Sequence, residues 1–186
     1  MYKSFLLFLI CFSAAAQDQP AVKHHEIRTN VLGIISQGAY NLSIEKKTPG
    51  NFSYGLGGSI TQSASQKAAF ETGNKSNLPV WDITPFVRYK LSKSIRSYYF
   101  AEVFSSLNHG KNKAILRNTD AANTAVYSVE KSKYTDLALG GSLGYKFLIK
   151  EVFALEFLVG FGSNLLNTKQ SPDVVSRVGL SIGYQF

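Results

Sequence analysis

The feature that most limits what this chain can fold into is a strict alternation of apolar with small or polar residues. In the final segment, Val178, Leu180, Ile182, Tyr184 and Phe186 share one face of an extended strand. Seven other segments have the same period of two, and helical periodicity is hard to find. The predicted strands are 25 to 35, 38 to 47, 52 to 62, 80 to 91, 97 to 107, 134 to 147, 152 to 163 and 175 to 186. We predict an all-β fold, an eight-stranded antiparallel up-and-down barrel.

The connections between these strands alternate in length, which indicates a barrel that crosses a membrane. Short gaps at 48 to 51, 92 to 96 and 148 to 151 fall at one end of the predicted barrel. Longer segments at 63 to 79, 108 to 133 and 164 to 174 fall at the other end, and a short first loop around Ser36 and Gln37 is the exception. Short periplasmic turns opposite longer outer loops are typical of transmembrane barrels. The strands are also long enough to cross the bilayer when tilted.

Aromatic residues on the apolar face gather at the predicted periplasmic ends of the strands. A band of aromatic side chains at one depth is typical of a membrane interface, and a soluble core has no reason to build one. We therefore expect the apolar face to point outward, and a soluble lipocalin-like ligand-binding barrel is the less favoured alternative. The predicted aromatic girdle consists of Phe52, Tyr54, Tyr89, Tyr99, Tyr145, Phe147, Phe153, Tyr184 and Phe186.

The opposite, inward face carries charged residues in equal numbers of each sign. Buried charges are usually paired, and eight strands leave an interior just wide enough to be filled by side chains. We predict a salt-bridged plug in the lumen, with a narrow ion channel as the alternative. The predicted lumen charge network contains Glu26, Arg28, Glu45, Lys47, Asp82, Arg88, Lys90, Glu102, Asp136, Lys146, Glu156 and Arg177.

The N-terminal segment predicts export. Lys3 precedes an apolar run from Phe5 to Phe12, and the small residues Ala14 to Ala16 follow, as in a secretory signal peptide. We assign residues 1–16 to the signal peptide, 17–24 to a lead-in and 25–186 to the barrel. The only cysteine, Cys11, lies in the signal, so the mature chain is expected to have neither a disulfide nor a thiolate metal site.

The residues that could form a catalytic site do not share one face of their strand. Glu102, Ser105, Ser106 and His109 lie near the outer end of one strand, but alternation turns Ser105 to the opposite face from Glu102 and Ser106. A hydroxyl nucleophile needs a base and an acid on the same side. We predict no enzyme activity, no cofactor and no metal, and a lipid A-modifying enzyme stays as an alternative.

The net charge of +8 favours binding partners that are acidic. An exported protein rarely meets nucleic acid, so lipopolysaccharide and other phosphate-bearing lipids are the expected acidic neighbours. Because the lumen charges balance, the surplus belongs mainly to the outer loops and the N-terminal tail. Lys111, Lys113 and Arg117 are the predicted loop residues for such binding.

These patterns resemble the small eight-stranded outer-membrane barrels of the OmpA and OmpX type, and especially uncharacterised barrel families of Bacteroidota. The segment NLSIEKK, Asn41 to Lys47, resembles their second strand. Val178, Leu180, Ile182, Tyr184 and Phe186 resemble the C-terminal signal that the barrel assembly machinery recognises. The resemblance implies a monomeric integral protein of a Gram-negative outer membrane. It implies no reaction, and the expected role is membrane integrity, adhesion or surface binding.

Overall fold

The protein is a closed barrel of eight antiparallel strands that pair in chain order. The computed structural model describes residues 24–92, 94, 96–119 and 125–186. The predicted fold class is confirmed, whereas the signal peptide and residues 17–23 of the lead-in lie outside the described residues. The strands are β1 His25–Asn30, β2 Ala39–Lys47, β3 Phe52–Thr61, β4 Asn77–Lys90, β5 Ser97–Thr119, β6 Ala125–Ile149, β7 Phe153–Asn164 and β8 Val174–Gln185.

Closure joins the two ends of the described chain. β8 pairs with β1, and the ladder continues one residue further because Phe186 and His25 exchange backbone hydrogen bonds of 2.9 and 3.1 Å. A closed sheet satisfies the backbone groups that an open edge would leave unpaired. We call the end with the short connections the short-turn rim and the opposite end the long-loop rim.

Alternation along the strands separates two chemically different surfaces. On β7, Phe153, Phe157 and Phe161 point away from the barrel and are 49 to 61% exposed, whereas Ala154 and Glu156 point inward and are buried. The other strands follow the same division in the main, so large apolar side chains cover the outside, whereas the inside holds polar groups together with a few buried rings. This is the reverse of a soluble barrel, in which apolar side chains would be turned inward.

The first predicted strand, 25 to 35, is wrong beyond Asn30. The chain turns there into helix α1, Val31–Gln37, whose first turn is capped by a 3.1 Å hydrogen bond from the Gly33 N–H to Asn30 Oδ1. Gly38 ends the helix with a φ of 59°, a left-handed conformation that glycine adopts without strain. An asparagine cap and a glycine stop are sequence signals for a helix, and they outweigh the apolar residues that continue the strand pattern.

The predicted long loop at 63 to 79 is also partly regular. Ser63 caps helix α2, Ala64–Glu71, by accepting a 3.3 Å hydrogen bond from the Gln66 N–H. β4 then begins at Asn77 rather than at residue 80, and its register with β5 shifts between Pro79 and Trp81. Neither helix in the described part of the chain is long and apolar enough to cross a membrane.

The largest correction concerns residues 108 to 133, for which the sequence predicts a loop. β5 continues to Thr119 and β6 begins at Ala125, so the two strands form a long hairpin beyond the barrel wall. Its residues lack the apolar and polar alternation of the wall, because lysines stand at outward positions where the wall has apolar residues. The hydrophobic pattern therefore gives no sign of a strand, although the backbone pairing is continuous.

Candidate functional site

A cluster of buried charges occupies the middle of the lumen. The Lys146 ammonium lies 2.8 Å from Glu26, 3.2 Å from Glu45 and 3.1 Å from Glu156, and all four side chains are buried. Oxygens of the three carboxylates lie within 4.8 Å of one another, a spacing that can hold a metal ion. Here the Lys146 ammonium supplies one of the positive charges that these three carboxylates need.

Two arginines join this cluster to the rest of the wall. Arg88 binds Glu102 through Nε at 2.7 Å, and through Nη1 it binds Glu45 at 2.9 Å and Glu156 at 2.8 Å. Arg28 donates to Glu45 and lies 3.3 Å from Glu26 and 3.5 Å from Glu156. Strands that are not all neighbours are thereby connected across the lumen.

Towards the long-loop rim the network ends at Arg177, whose Nη1 lies 2.6 Å from Glu102. The Arg177 side chain is 22% exposed, whereas the other charged groups of the network are 4% exposed or less. The eight ion-paired residues carry four positive and four negative charges, which neutralise one another. They are Glu26, Arg28, Glu45, Arg88, Glu102, Lys146, Glu156 and Arg177.

The other four predicted lumen residues face inward but lie outside this network. Asp82 accepts hydrogen bonds from Ser59 and from Thr84, the latter at 2.9 Å. Lys90 lies over the Tyr98 ring at 4.7 Å, and Lys47 is half-buried near the short-turn rim. Asp136 holds the β7–β8 connection by accepting hydrogen bonds from the backbone N–H groups of Leu166 and Asn167 and from the Ser171 hydroxyl.

Three inward aromatic rings that the sequence did not predict support the arginines. The guanidinium of Arg88 lies 4.7 Å from the centre of the Phe86 ring and 4.3 Å from that of Phe100. Arg177 lies 4.6 Å from the Phe104 ring. Cation–π contacts of desolvated groups are worth about 2 kcal/mol. These phenylalanines occupy even-numbered positions, as do the inward-facing Arg88 and Glu102. The alternation of the strands was therefore the signal that could have placed the rings inside the barrel.

Glycines on the inward face make room for these rings. A Cβ atom on Gly144 would lie 2.2 Å from Phe100, one on Gly55 would lie 2.3 Å from Phe86, and one on Gly140 would lie 2.5 Å from Phe104. Around these three rings the interior is therefore filled by pairing a large ring with a residue that has no side chain.

A polar cavity of about 400 Å³ lies between the charged network and the long-loop rim. Arg28, Arg88 and Arg177 are among its lining residues, together with hydroxyl and amide groups such as Ser106 and Asn108. The charged network forms its floor.

The residues considered for catalysis are placed apart from one another. Glu102 is buried in the charged network, and the Ser106 hydroxyl is hydrogen-bonded to Thr84 at 3.0 Å. His109 lies on the outer surface, where its ring stacks on Trp81 at 5.7 Å and Nδ1 lies 2.8 Å from the Thr135 hydroxyl. No base, acid and hydroxyl converge among these residues.

The predicted aromatic girdle forms contacts around the short-turn rim. Phe52 packs on Tyr89 at 5.0 Å, and Tyr99 packs on Tyr145 at 4.4 Å. Tyr145 also contacts Phe147, and Phe153 contacts Tyr184, which in turn stacks with the final Phe186. Tyr54, also exposed, lies on the same strand as Phe52.

Of the three predicted loop cations, Lys113 is already engaged within the protein. Its ammonium donates to the backbone carbonyls of Phe70 and Glu71 at the end of α2, and lies 4.6 Å from the Phe70 ring. Lys131, which the prediction omitted, pairs with the Glu71 carboxylate at 2.6 Å. The hydrogen bond and charge of Lys131, with the charges of Lys113 and Lys111, hold the pKa of Glu71 below its usual value.

Known proteins share the fold of this chain, although no protein-family model and no curated protein matches it. Structures of outer-membrane barrels are among those that share the fold. The N-terminal β-barrel domain of Pseudomonas aeruginosa OprF is 14% identical with a TM-score of 0.51, and the match covers 88% of this chain and 98% of that one.

Two further outer-membrane proteins of known structure share the fold. Neisserial surface protein A is 10% identical over 87% of this chain and 93% of its own, with a TM-score of 0.52. A major outer membrane protein from Thermus thermophilus is 12% identical over 87% of this chain and 99% of its own, also with a TM-score of 0.52. At such low identity the likeness concerns the fold alone. The resemblance to Bacteroidota families stays a prediction.

Proposed function

We propose that this protein is an integral protein of a bacterial outer membrane with a non-enzymatic role in the envelope. In this proposal the signal peptide is removed, the barrel assembly machinery inserts the chain, and the protein acts as a monomer. It contributes to membrane integrity and presents the β5–β6 hairpin for surface binding. The observation that carries the proposal is the inverted distribution of polarity, with apolar side chains outside and paired charges inside.

The height of the apolar surface supports a membrane location. On β6 the outward residues from Leu137 to Phe147 are apolar apart from Gly141. At a rise of about 3.4 Å per residue and a tilt of about 40°, this stretch spans about 26 Å along the barrel axis. That is close to the apolar band of about 25 Å on known transmembrane barrels.

The charged network that closes the middle of the lumen, below the polar cavity, argues against the channel alternative. Lys146, Arg88 and Arg28 connect acids on opposite walls, and inward rings occupy the space between them. We expect the purified barrel to show no stepwise current in a planar bilayer. Regular single-channel steps would favour a channel instead.

The separation of His109 from Ser106 and Glu102 argues against the enzyme alternative. We expect no release of fatty acid from lipopolysaccharide by the purified protein. Release that is abolished by His109→Ala would overturn the non-enzymatic role.

Membrane insertion is tested by gel mobility in SDS of the outer-membrane fraction, with and without boiling. A closed barrel has no free edge and is expected to stay folded in detergent until it is heated. The unboiled protein should therefore run as a distinct compact species that disappears on boiling. Recovery in the soluble periplasmic fraction, with identical mobility in both samples, would favour the soluble-barrel alternative.

We also propose that the outer loops bind lipopolysaccharide phosphates, for which Lys111, Lys113 and Arg117 are the residues predicted from the sequence. Lys113 is the least available of the three for such binding, because its ammonium already donates to the carbonyls at the end of α2.

A further inference from the structure

The outward face of the β5–β6 hairpin changes from apolar to strongly basic within a few residues. Register pairs along this face are Leu107 with Leu137, His109 with Thr135, Lys111 with Lys133, and Lys113 with Lys131. Two like-charged pairs thus follow each other beyond the apolar surface, separated from it by the His109–Thr135 pair. Like charges opposite each other in an antiparallel sheet are destabilising, so their presence calls for a neutralising partner.

The upper pair is bound within the protein itself. Lys131 binds the Glu71 carboxylate, and Lys113 donates to the two carbonyls at the end of α2. Cations at a helix C-terminus are stabilised by the helix dipole. Helix α2 therefore explains why Lys113 and Lys131 can lie side by side.

The lower pair has no such partner within the part of the chain that the structure describes. Neither Lys111 nor Lys133 has a carboxylate within ion-pair distance there, and Glu71, the one acid bound by these lysines, is engaged with Lys131. We call Lys111, Lys113, Lys131 and Lys133 the lysine cluster. Set against Glu71, the cluster leaves three positive charges in excess.

The distance of the lower pair from the end of the apolar surface, measured along the barrel axis, places it near the lipid headgroups. Lys111 and Lys133 lie two register pairs beyond Leu107 and Leu137, or about 10 Å along the axis at a rise of about 3.4 Å and a tilt of about 40°. The headgroup region extends about 5 to 8 Å beyond the hydrocarbon. Flexible lysine stems reach back over that difference, as they do at other membrane interfaces.

The only tryptophan of the chain marks the boundary between these levels. Trp81 is paired in register with His109, one step below the lower lysines, and its ring stacks on the histidine. Tryptophan is enriched at membrane–water interfaces because its ring is apolar and its N–H is polar. The lysine pair therefore begins where the lipid phosphates are expected.

We propose that Lys111 and Lys133 form a binding site for a phosphate group of an outer-leaflet glycolipid, namely lipid A. This inference rests on the proposed outer-membrane location. Opposite residues on a sheet have Cβ atoms about 5 Å apart, so both ammonium groups can reach one phosphate. The excess of three charges is more than a single phosphodiester neutralises, which favours a headgroup with several phosphates.

The site differs from the one predicted from sequence. It includes Lys133, and it assigns Lys113 to α2. It also leaves out Arg117, which lies ten residues beyond Leu107, about 26 Å higher on the barrel axis and well above the headgroup phosphates.

The test measures lipid binding to the detergent-solubilised mature protein by native mass spectrometry. The probes are bisphosphorylated lipid A, dephosphorylated lipid A and phosphatidylglycerol. We expect the natural chain to prefer bisphosphorylated lipid A, and Lys111→Gln with Lys133→Gln to weaken that binding about tenfold or more, as loss of charge-assisted hydrogen bonds should. Lys46→Gln with Lys169→Gln removes the same charge from two exposed positions elsewhere and should change little.

A second variant separates binding from folding. Lys133→Glu turns the like-charged pair into an ion pair, so the barrel should resist heating in SDS at least as well as the natural chain while losing lipid A binding. Equal lipid A binding by the natural chain and the double variant would overturn the site, as would equal binding of the dephosphorylated lipid or of phosphatidylglycerol. A heat-modifiable outer-membrane barrel with such a result would leave the proposed function standing.

Discussion

Arg88 binds Glu156 through two parallel hydrogen bonds, Nη1 to Oε2 at 2.8 Å and Nη2 to Oε1 at 3.0 Å. The two residues lie on β4 and β7, which are not neighbours in the sheet, so this bidentate pair crosses the lumen. Planar bidentate geometry fixes orientation as well as distance. The opposite walls of the barrel are therefore held together by side chains in addition to the backbone ladder.

Lys146→Ala should destabilise the barrel, because it removes the cation shared by Glu26, Glu45 and Glu156. Arg28 and Arg88 still contact these carboxylates, but the network is left with one uncompensated buried negative charge. Breaking a buried ion pair in this way costs about 3 to 5 kcal/mol. Urea unfolding of vesicle-inserted protein, followed by Trp81 fluorescence, measures the loss. Lys169→Ala, at an exposed position in the β7–β8 connection, should stay within about 0.5 kcal/mol of the natural chain.

Added Ca²⁺ should restore part of the stability of Lys146→Ala, since the three carboxylates lie within 4.8 Å of one another. The natural chain, in which the ammonium lies among these oxygens, should gain less. A Lys146→Ala variant as stable as the natural chain without calcium would show that the ion network contributes nothing to the fold.

Gly144→Ala should also destabilise the barrel, because the new Cβ would lie 2.2 Å from Phe100 and 2.7 Å from the Phe157 carbonyl oxygen. Overpacking of this kind costs about 1 to 3 kcal/mol. Gly141→Ala on the same strand is the matched control, since its Cβ would meet nothing closer than the Glu102 carbonyl oxygen at 3.6 Å. The same urea titration compares the two, and equal effects would mean that the rings do not need the glycine.

Phe186→Ser should lower the amount of barrel inserted in cells if the final residues act as the assembly signal. Phe52→Ser is the matched control, because Phe52 lies in the same girdle and both rings are 55% exposed. Both variants lose an interfacial ring, so their refolded stability in vesicles should fall by similar amounts. The heat-modifiable species in membrane fractions measures assembly, and an equal reduction for both variants would count against a special role of Phe186.

The contact of α2 with the hairpin should weaken in acid. The pKa of Glu71 is lowered in the folded protein, so its stabilising contribution is fully present above the usual glutamate pKa of about 4.3 and is lost as the pH falls through the lower folded value. Limited proteolysis within α2 should accelerate over that range. Glu71→Gln should cleave faster at neutral pH and show less acceleration in acid, whereas identical pH profiles for the two chains would contradict the role of Glu71.

The wall of the barrel could be read from the sequence because its chemistry repeats every second residue. Phe153, Phe157 and Phe161 all face outward as predicted, and Glu156 faces inward. The pattern failed where that chemistry stops. Lys111 and Lys133 are paired strand residues, yet a segment with no apolar face to bury carries no mark of its pairing.

The sequence by itself determined the number of strands in the barrel, the face that each wall residue occupies and which charges lie inside, because alternation and hydrophobic burial act locally along each strand. Only the tertiary structure decided which acid meets which base. Arg88 reaches Glu156 and Lys146 reaches Glu26 across a closed lumen, and these distances depend on the register of every intervening strand. The same holds for Lys111 and Lys133, whose pairing across the hairpin follows from a register that no local pattern encodes.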